Sequence, residues 1–261
     1  LSVDRTTFEK MYAGGLLEDI TVPLLEYASE YTRKYLTGDY SYLLDAATKD
    51  GKYYGITNGF SYQDGADMFW IRKDWLDKLN LKAPETLEDL EAIMEAFKTQ
   101  DPDGNGVDDT YAIAMNASSQ NAWQWTLGNA FFNMFNAYPN AWYENSKGEI
   151  ESGLFGEEAR ERTRAALEKA AEYYQKGYIA QDFATMDFDM QNQDIFNGKC
   201  GIFVGDVWAS YWPLNLHLDV DPEADWIAVP VVSGPYGEGK VARDVAQTQN
   251  ILVATKGCEH P

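Results

Sequence analysis

Histidine and cysteine are scarce, with 2 of each in 261 residues. So few imidazoles make a metal-hydrolase centre or a Ser-His-Asp triad hard to assemble. His217 and His260 have no metal-like spacing and read as surface residues. Cys200 lies in the apolar run Cys200-Gly201-Ile202-Phe203-Val204, and Cys258 sits three residues from the C-terminus. Unpaired thiols outweigh a disulfide here, which leaves the redox compartment open. Positive charge is also short: 21 Lys and Arg against 42 acids give a formal net charge of −21. Such a surface repels phosphate backbones and anionic lipid heads, which counts against nucleic acid and membrane surfaces as partners. No apolar run is long enough to span a bilayer, and no export signal is visible. The chain opens at Leu1-Ser2-Val3-Asp4 without Met and stops at Glu259-His260-Pro261. A Pro there suits the first turn of a helix that never arrives. The chain therefore reads as a trimmed fragment, and the missing signal says nothing about location.

Hydrophobic residues reach 45%, enough for a real core. Aromatics reach 14%, with 8 Trp and 17 Tyr, several in polar surroundings where rings offer flat faces to a ligand. Apolar positions Leu24, Ala28, Tyr31 and Tyr35 after Thr21-Val22-Pro23 predict one amphipathic helix. Tyr27, Tyr31, Tyr35, Phe97, Tyr173 and Tyr174 follow helical spacing and read as core or interface. Asp50-Gly51-Lys52 marks a turn before a strand-like Tyr53-Tyr54-Gly55-Ile56. Strands are predicted at Met68-Phe69-Trp70-Ile71, Tyr111-Ala112-Ile113-Ala114, Cys200 to Val204, Trp226 to Pro230 and Asn250 to Ala254. Thr86 with Asp89 three residues on reads as a helix start, followed by Leu90, Ile93, Met94 and Phe97 on one face. Glu157 to Lys176 is the longest predicted helix, stopped by Gly177. A helix is also predicted from Asp206 to about Trp212, ended by Pro213. The segment 118–143 shows no clean period. Strands and helices alternate without an internal repeat, which indicates an α/β fold.

The sharpest motif is Asp101-Pro102-Asp103-Gly104-Asn105-Gly106-Val107-Asp108-Asp109. Oxygen-bearing side chains fall at positions one, three, five and nine, with Gly at six. That is the EF-hand arrangement for one hard cation, the seventh residue lending its carbonyl. Asp101, Asp103, Asn105, the Val107 carbonyl and Asp109 would be the ligands of a structural Ca²⁺. Position twelve is Ala112, so the usual bidentate Glu is absent. Affinity on the order of 10⁻⁴–10⁻³ M, as in extracellular modules, is expected. A string of Asx turns is the competing reading, but closely spaced carboxylates repel one another without a cation.

Several blocks carry a family resemblance. Asp50-Gly51-Lys52-Tyr53-Tyr54-Gly55-Ile56 is similar to the "DGK-YG-P" strand of the extracellular solute-binding proteins, family 1, the sugar receptors of ABC importers. Phe69-Trp70-Ile71-Arg72-Lys73-Asp74-Trp75-Leu76-Asp77-Lys78-Leu79 with Pro84-Glu85-Thr86 resembles their "lwiRkDWLdkl…P-T" signature. The calcium loop follows in the family's usual place. Phe196-Asn197-Gly198-Lys199-Cys200-Gly201-Ile202 and Gly257-Cys258-Glu259-His260-Pro261 resemble two further family blocks. Thr57 stands where the family usually has Pro.

The resemblance implies a two-lobed, periplasmic-binding-protein-like α/β fold joined by hinge strands and incomplete at both termini. Residues 1–64 would be the remainder of lobe one, 65–244 lobe two with the calcium loop, and 245–261 a strand returning to lobe one. Hinge positions would fall near Asp64 to Asp67 and Asp244 to Gln247. A sugar cleft combines rings for C–H faces with polar groups for hydroxyls. By family position Trp208 would stack on the sugar, with Asp206 accepting from hydroxyls. Trp123 and Trp125 fall in a region that often contributes rings; being two apart, only one faces the ligand if the segment is extended. Tyr62 and Asp64 read equally as ligand contacts or an ordinary polar turn. Asn116-Ala117-Ser118 matches a glycosylation sequon, a tripeptide common by chance.

The expected function is binding without catalysis: a monomeric, lipid-anchored extracellular receptor that hands a sugar or oligosaccharide to a membrane permease. The alternatives are a glycoside hydrolase, which needs two carboxylates roughly 5–9.5 Å apart, and a surface adhesion module.

Overall fold

The computed structural model describes residues 1–38, 41–59, 67–116, 128–139, 141–241 and 248–258. Two compact units emerge: Leu1–Gln63 with Asp244–Pro261, and Asp64–Arg243.

The first unit is built on a three-stranded antiparallel sheet in the order Ser2–Val3, Thr248–Leu252, Ile56–Gly59. The helix Arg5–Ala13 follows the first strand, and the carboxylate of its N-cap Asp4 accepts from Thr7 N at 2.8 Å. Phe8, Leu17, Ala47, Ile251 and Val253 form the core beneath it. The predicted single helix after Thr21 is two helices, Thr21–Tyr27 and Glu30–Thr37. Ala28 turns extended (ψ 135), and Ser29 Oγ accepts from Thr32 N at 3.0 Å, capping a new helix start. The break leaves Tyr27 and Tyr31 exposed, which removes them from the core. The predicted strand 53–56 is likewise divided. Thr48–Lys49 and Lys52–Tyr53 form a hairpin, and Ile56–Gly59 joins the main sheet. Asp50 and Gly51 both take positive φ (51 and 74), the turn that suits the strand twist.

The second unit holds a four-stranded sheet in the order Trp226–Val229, Met68–Arg72, Cys200–Gly205, Tyr111–Ile113. All neighbours are antiparallel except the last pair, which is parallel. Side chains alternate between faces. Phe69, Ile71, Ile202 and Val204 join one core with Trp75, Leu90, Met94, Phe97 and Phe131. Trp70 and Phe203 join a second, with Ile195, Cys200, Ala209 and Leu214. The helix Leu87–Thr99 starts as its sequence predicts: Thr86 Oγ1 accepts from Asp89 N, and the Asp89 carboxylate accepts from Thr86 N. Leu90, Ile93, Met94 and Phe97 are buried along its inner face. The longest helix runs Glu157–Gln175 and ends before Gly177 at φ 73.

Two further expectations change. The stretch after Asp206 is a short 3-10 turn, Val207–Ser210, followed by an α-helix at Leu214–Val220. His217 on that helix is fully buried rather than at the surface. Its Nδ1 accepts from Trp226 Nε1 at 3.1 Å, and burial beside Arg72 pushes its pKa down to about 4. Cys200 is buried and Cys258 exposed, both as free thiols; burial raises Cys200 to about 12, which keeps it inert. Among the described residues no helix is long and apolar enough to cross a membrane.

Candidate functional site

Strand register brings three chain segments to one edge of the second unit's sheet. Cys200–Gly205 runs antiparallel to Met68–Arg72 with Gly205 opposite Met68. Asp206 therefore leaves one strand where Asp67 enters the other. Tyr111–Ile113 runs parallel to Cys200–Gly205, and Ala114 N donates to Ile202 O at 2.8 Å. The chain thus carries Asn116 off at the same edge. All three side chains are buried: Asp67 and Asn116 are 3% exposed and Asp206 2%. The helix Phe188–Phe196, N-capped by the Asp187 carboxylate on Met190 N at 2.9 Å, adds two more. Gln191 is fully buried and accepts from the Asn116 amide, and Asn192 is 5% exposed. The burial of Asn116 argues against the sequon as an accessible acceptor in the folded chain.

Buried carboxylate and amide side chains such as these are held only where hydrogen bonds or ion pairs meet them. Among the described residues, Asn192 Oδ1 has no hydrogen-bond partner.

Rings accompany the polar groups. The Asp206 carbonyl accepts both Ala209 N at 3.0 Å and Trp70 Nε1 at 3.2 Å, fixing the turn that carries Trp208. Trp208 is half-buried and packs on the core around Phe203 and Ala209. Beyond it, Tyr211 is exposed, and the Trp212 ring lies 5.3 Å from that of Phe188 at 44°. Polar acceptors and donors beside aromatic faces can hold a polyhydroxylated ligand, the first set pairing with hydroxyls and the second packing on C–H groups.

Of the residues singled out in the sequence, Asp206 and Trp208 fall at this edge. Trp123, Trp125, Tyr62 and Asp64 lie outside the described residues. Sequence reasoning treated Asp67 only as a hinge position and Asn116 only as part of a sequon. It missed Gln191, Asn192 and Trp212. The polar run Gln191-Asn192-Gln193 within an otherwise amphipathic helix was the available signal.

The loop from Asp101 to Asp109 folds on its own side chains. Asp101 accepts from Gly104 N at 3.1 Å and Gly106 N at 3.0 Å. The Asn105 amide nitrogen donates to Asp103 at 2.7 Å and Asp109 at 3.2 Å, and Asn105 Oδ1 accepts from Val107 N at 2.6 Å. Gly104 and Gly106 hold φ 76 and 77, conformations L side chains rarely take. Desolvation and the neighbouring Asp101 raise the Asp103 carboxyl, while hydrogen bonds from Asp103 and Gly106 lower Asp101. Two carboxyls pushed apart in this way are the signature of anionic groups in close contact. No cluster of three or more His, Cys, Asp or Glu is preformed for a metal among the described residues. The donor set is nonetheless all oxygen, gathered around one amide, and fits a hard cation.

Comparison with known proteins adds independent findings. The model of the bacterial extracellular solute-binding protein family matches residues 1–261. Lipoprotein LipO of Bacillus subtilis (strain 168) is 35% identical over 136 residues, 51% of this chain and 25% of LipO. The polygalacturonan/rhamnogalacturonan-binding protein YtcQ of the same organism is 34% identical over 164 residues, 61% of this chain and 30% of YtcQ. Among solved structures, the S. pneumoniae ABC-transporter substrate-binding protein FusA in complex with kestose superposes with a TM-score of 0.71 at 21% identity, over 97% of this chain and 50% of FusA. The FusA EF-hand mutant in complex with fructo-nystose gives 0.69 at 21% identity over the same shares of the two chains. The alginate-binding protein AlgQ2 without calcium ion gives 0.70 at 18% identity, over 100% of this chain and 52% of AlgQ2. The chain thus spans about half the length of the solved relatives, and the aligned stretches cover less than a third of the two curated ones.

Proposed function

Because the chain belongs to the bacterial extracellular solute-binding protein family, we propose that it is part of an importer's receptor that captures a sugar or oligosaccharide without altering it. The observation carrying this reading is the strand edge where Asp67, Asn116 and Asp206 are buried, with Trp208 on the short turn that follows Asp206. Carboxylates accept from sugar hydroxyls, amides both accept and donate, and the indole face packs on ring C–H groups. Such a site needs no nucleophile and no redox group. The two compact units are the lobes of the receptor in this reading, and ligand shifts their equilibrium toward the form the permease recognises. The sugar-bound relatives and the transporter role of FusA support it. The lipoprotein relative supports a lipid-anchored position on the extracellular face.

The loop Asp101–Asp109 is proposed to hold structural Ca²⁺ through Asp101, Asp103, Asn105, the Val107 carbonyl and Asp109. An EF-hand mutant and a calcium-free form among the solved relatives support that reading. The ion would neutralise the mutual repulsion of these carboxylates and tie the end of the helix Leu87–Thr99 to the strand Tyr111–Ile113.

The testing experiment is a thermal-shift screen of the intact receptor against an oligosaccharide panel with calcium present. At least one sugar should raise the melting temperature by several degrees through linkage. A flat response across the panel argues against a sugar receptor, and release of shorter products during incubation argues for an enzyme.

A further inference from the structure

The strand Met68–Arg72 has two ends of different character. Met68, beside Asp67, faces Gly205 at the sugar edge, and Arg72 at the far end pairs with Trp226. Arg72 and His217 are both buried there, 3% and 0% exposed. The Arg72 guanidinium donates from Nε and Nη2 to Asp74 at 2.7 and 2.6 Å, and from Nη2 to Asp221 at 3.0 Å. Its Nη1 lies instead 3.5 Å from His217 Nε2. The indole N–H of Trp226 donates to His217 Nδ1 at 3.1 Å, so the proton of the neutral imidazole sits on Nε2. A guanidinium has no lone pair to offer that proton. Nη1 and Nε2 are thus two buried donors that meet nitrogen to nitrogen, each without an acceptor among the described residues.

Donors in that arrangement are satisfied by one oxygen between them, about 2.9 Å from each nitrogen. The pair lines a pocket of about 600 Å³, a size that ordinarily takes a small molecule. The same pocket is lined by four carboxylates, Asp74, Asp103, Asp221 and Glu223, and by one further cation, Lys78. Lys78 is engaged with the Pro102 carbonyl at 2.7 Å. The pocket therefore combines unmet hydrogen-bond donors with an excess of negative charge. A ligand that suits it brings an oxygen with lone pairs for the two nitrogens and a positive charge for the carboxylates. A carboxylate or phosphate meets the first demand and is repelled by the second. We propose that this pocket is a second ligand site, distinct from the sugar edge, for a small hydroxylated amine of the amino-sugar or amino-alcohol class. A hydroxyl oxygen accepts from Arg72 Nη1 and His217 Nε2, and the ammonium is held by the carboxylates, Glu223 among them. The assignment goes beyond the sugar-receptor reading and does not depend on it.

The experiment is an NMR titration of the intact receptor, labelled at its tryptophan indole nitrogens, at neutral pH with calcium present. Glucosamine, glucose and glucuronate share one ring and differ in charge, and methylammonium supplies the charge without an oxygen. Glucosamine should shift the Trp226 indole signal saturably, because His217 is the acceptor of that N–H. Glucose should bind roughly tenfold more weakly, and glucuronate and methylammonium should leave the signal in place. Glu223→Gln should weaken glucosamine binding severalfold. An unmoved Trp226 signal, equal responses to all four probes, or undiminished binding in Glu223→Gln overturns the proposal. A shift confined to Trp208 places glucosamine at the sugar edge and overturns it too. In each of these cases the sugar-receptor reading stands, because its own test uses oligosaccharides and a site at the other end of the strand.

Discussion

The indole N–H of Trp226 donates to Nδ1 of the buried His217 across 3.1 Å, which requires that nitrogen to carry a lone pair. The proton of the neutral ring therefore belongs to Nε2, 3.5 Å from Arg72 Nη1. A second proton on the ring would break the indole bond and place two cations side by side. Burial, then Arg72, hold the pKa down to about 4 from the usual 6.5, against smaller opposing effects of Asp221 and Asp74. Above about pH 6.5 the ring is neutral in both folded and unfolded chains and contributes no pH dependence. Below it, the unfolded chain takes up a proton that the folded one refuses. Stability should fall between pH 6.5 and about 4, by as much as about 3 kcal/mol from this group. Urea unfolding of the wild type and His217→Gln across that range checks it. The variant should lose stability less steeply, and parallel curves would remove His217 as the cause.

Gly201 is confined by two rings. A Cβ there would lie 2.5 Å from Phe97 Cε2 and 2.6 Å from Trp75 Cε3. Those rings are themselves locked edge to face at 5.1 Å in the larger core. Gly201→Ala should cost about 1–3 kcal/mol by overpacking, read as a lower urea midpoint with an unchanged slope.

Calcium should be visible in stability. A chelator is expected to lower the melting temperature of the wild type by several degrees, and Asp103→Ala should abolish most of that response. If both proteins respond alike, the ion sits elsewhere or is not bound.

Trp208→Ala in the intact receptor should weaken sugar binding by about 1 kcal/mol or more, roughly fivefold, through loss of ring stacking. Trp142, exposed on a separate hairpin, is the matched control. Its replacement by Ala should leave affinity unchanged.

Much of the second unit is legible in the sequence. Thr86 and Asp89 announced the helix Leu87–Thr99, and Gly177 announced the end of the helix Glu157–Gln175, because caps are local chemistry. The buried strand Cys200–Gly205 and its neighbours read directly as apolar runs. What failed depended on partners far away in sequence. The hairpin Trp142–Glu144 with Ile150–Ser152 arises in a region without hydrophobic period. His217 looked like a surface residue because nothing in its own segment announces Trp226 or Arg72. At the proposed edge, Asp206 and Trp208 were the residues family position singled out from the sequence. Gln191 and Asn192 were not, since a polar pair on a helix is ordinarily solvated and only the strand edge beside Asn116 makes it buried. The break at Ala28-Ser29 shows the converse: apolar spacing suggested one helix, and a serine cap divided it.

A crystal structure of the intact receptor with its bound sugar tests the central claim most directly. Sugar hydroxyls should lie within hydrogen-bond distance of Asp206, with a ring face against Trp208 and the glycosidic bonds unbroken. A sugar seated away from the strand edge of Asp67, Asn116 and Asp206, or one found cleaved, would contradict the account.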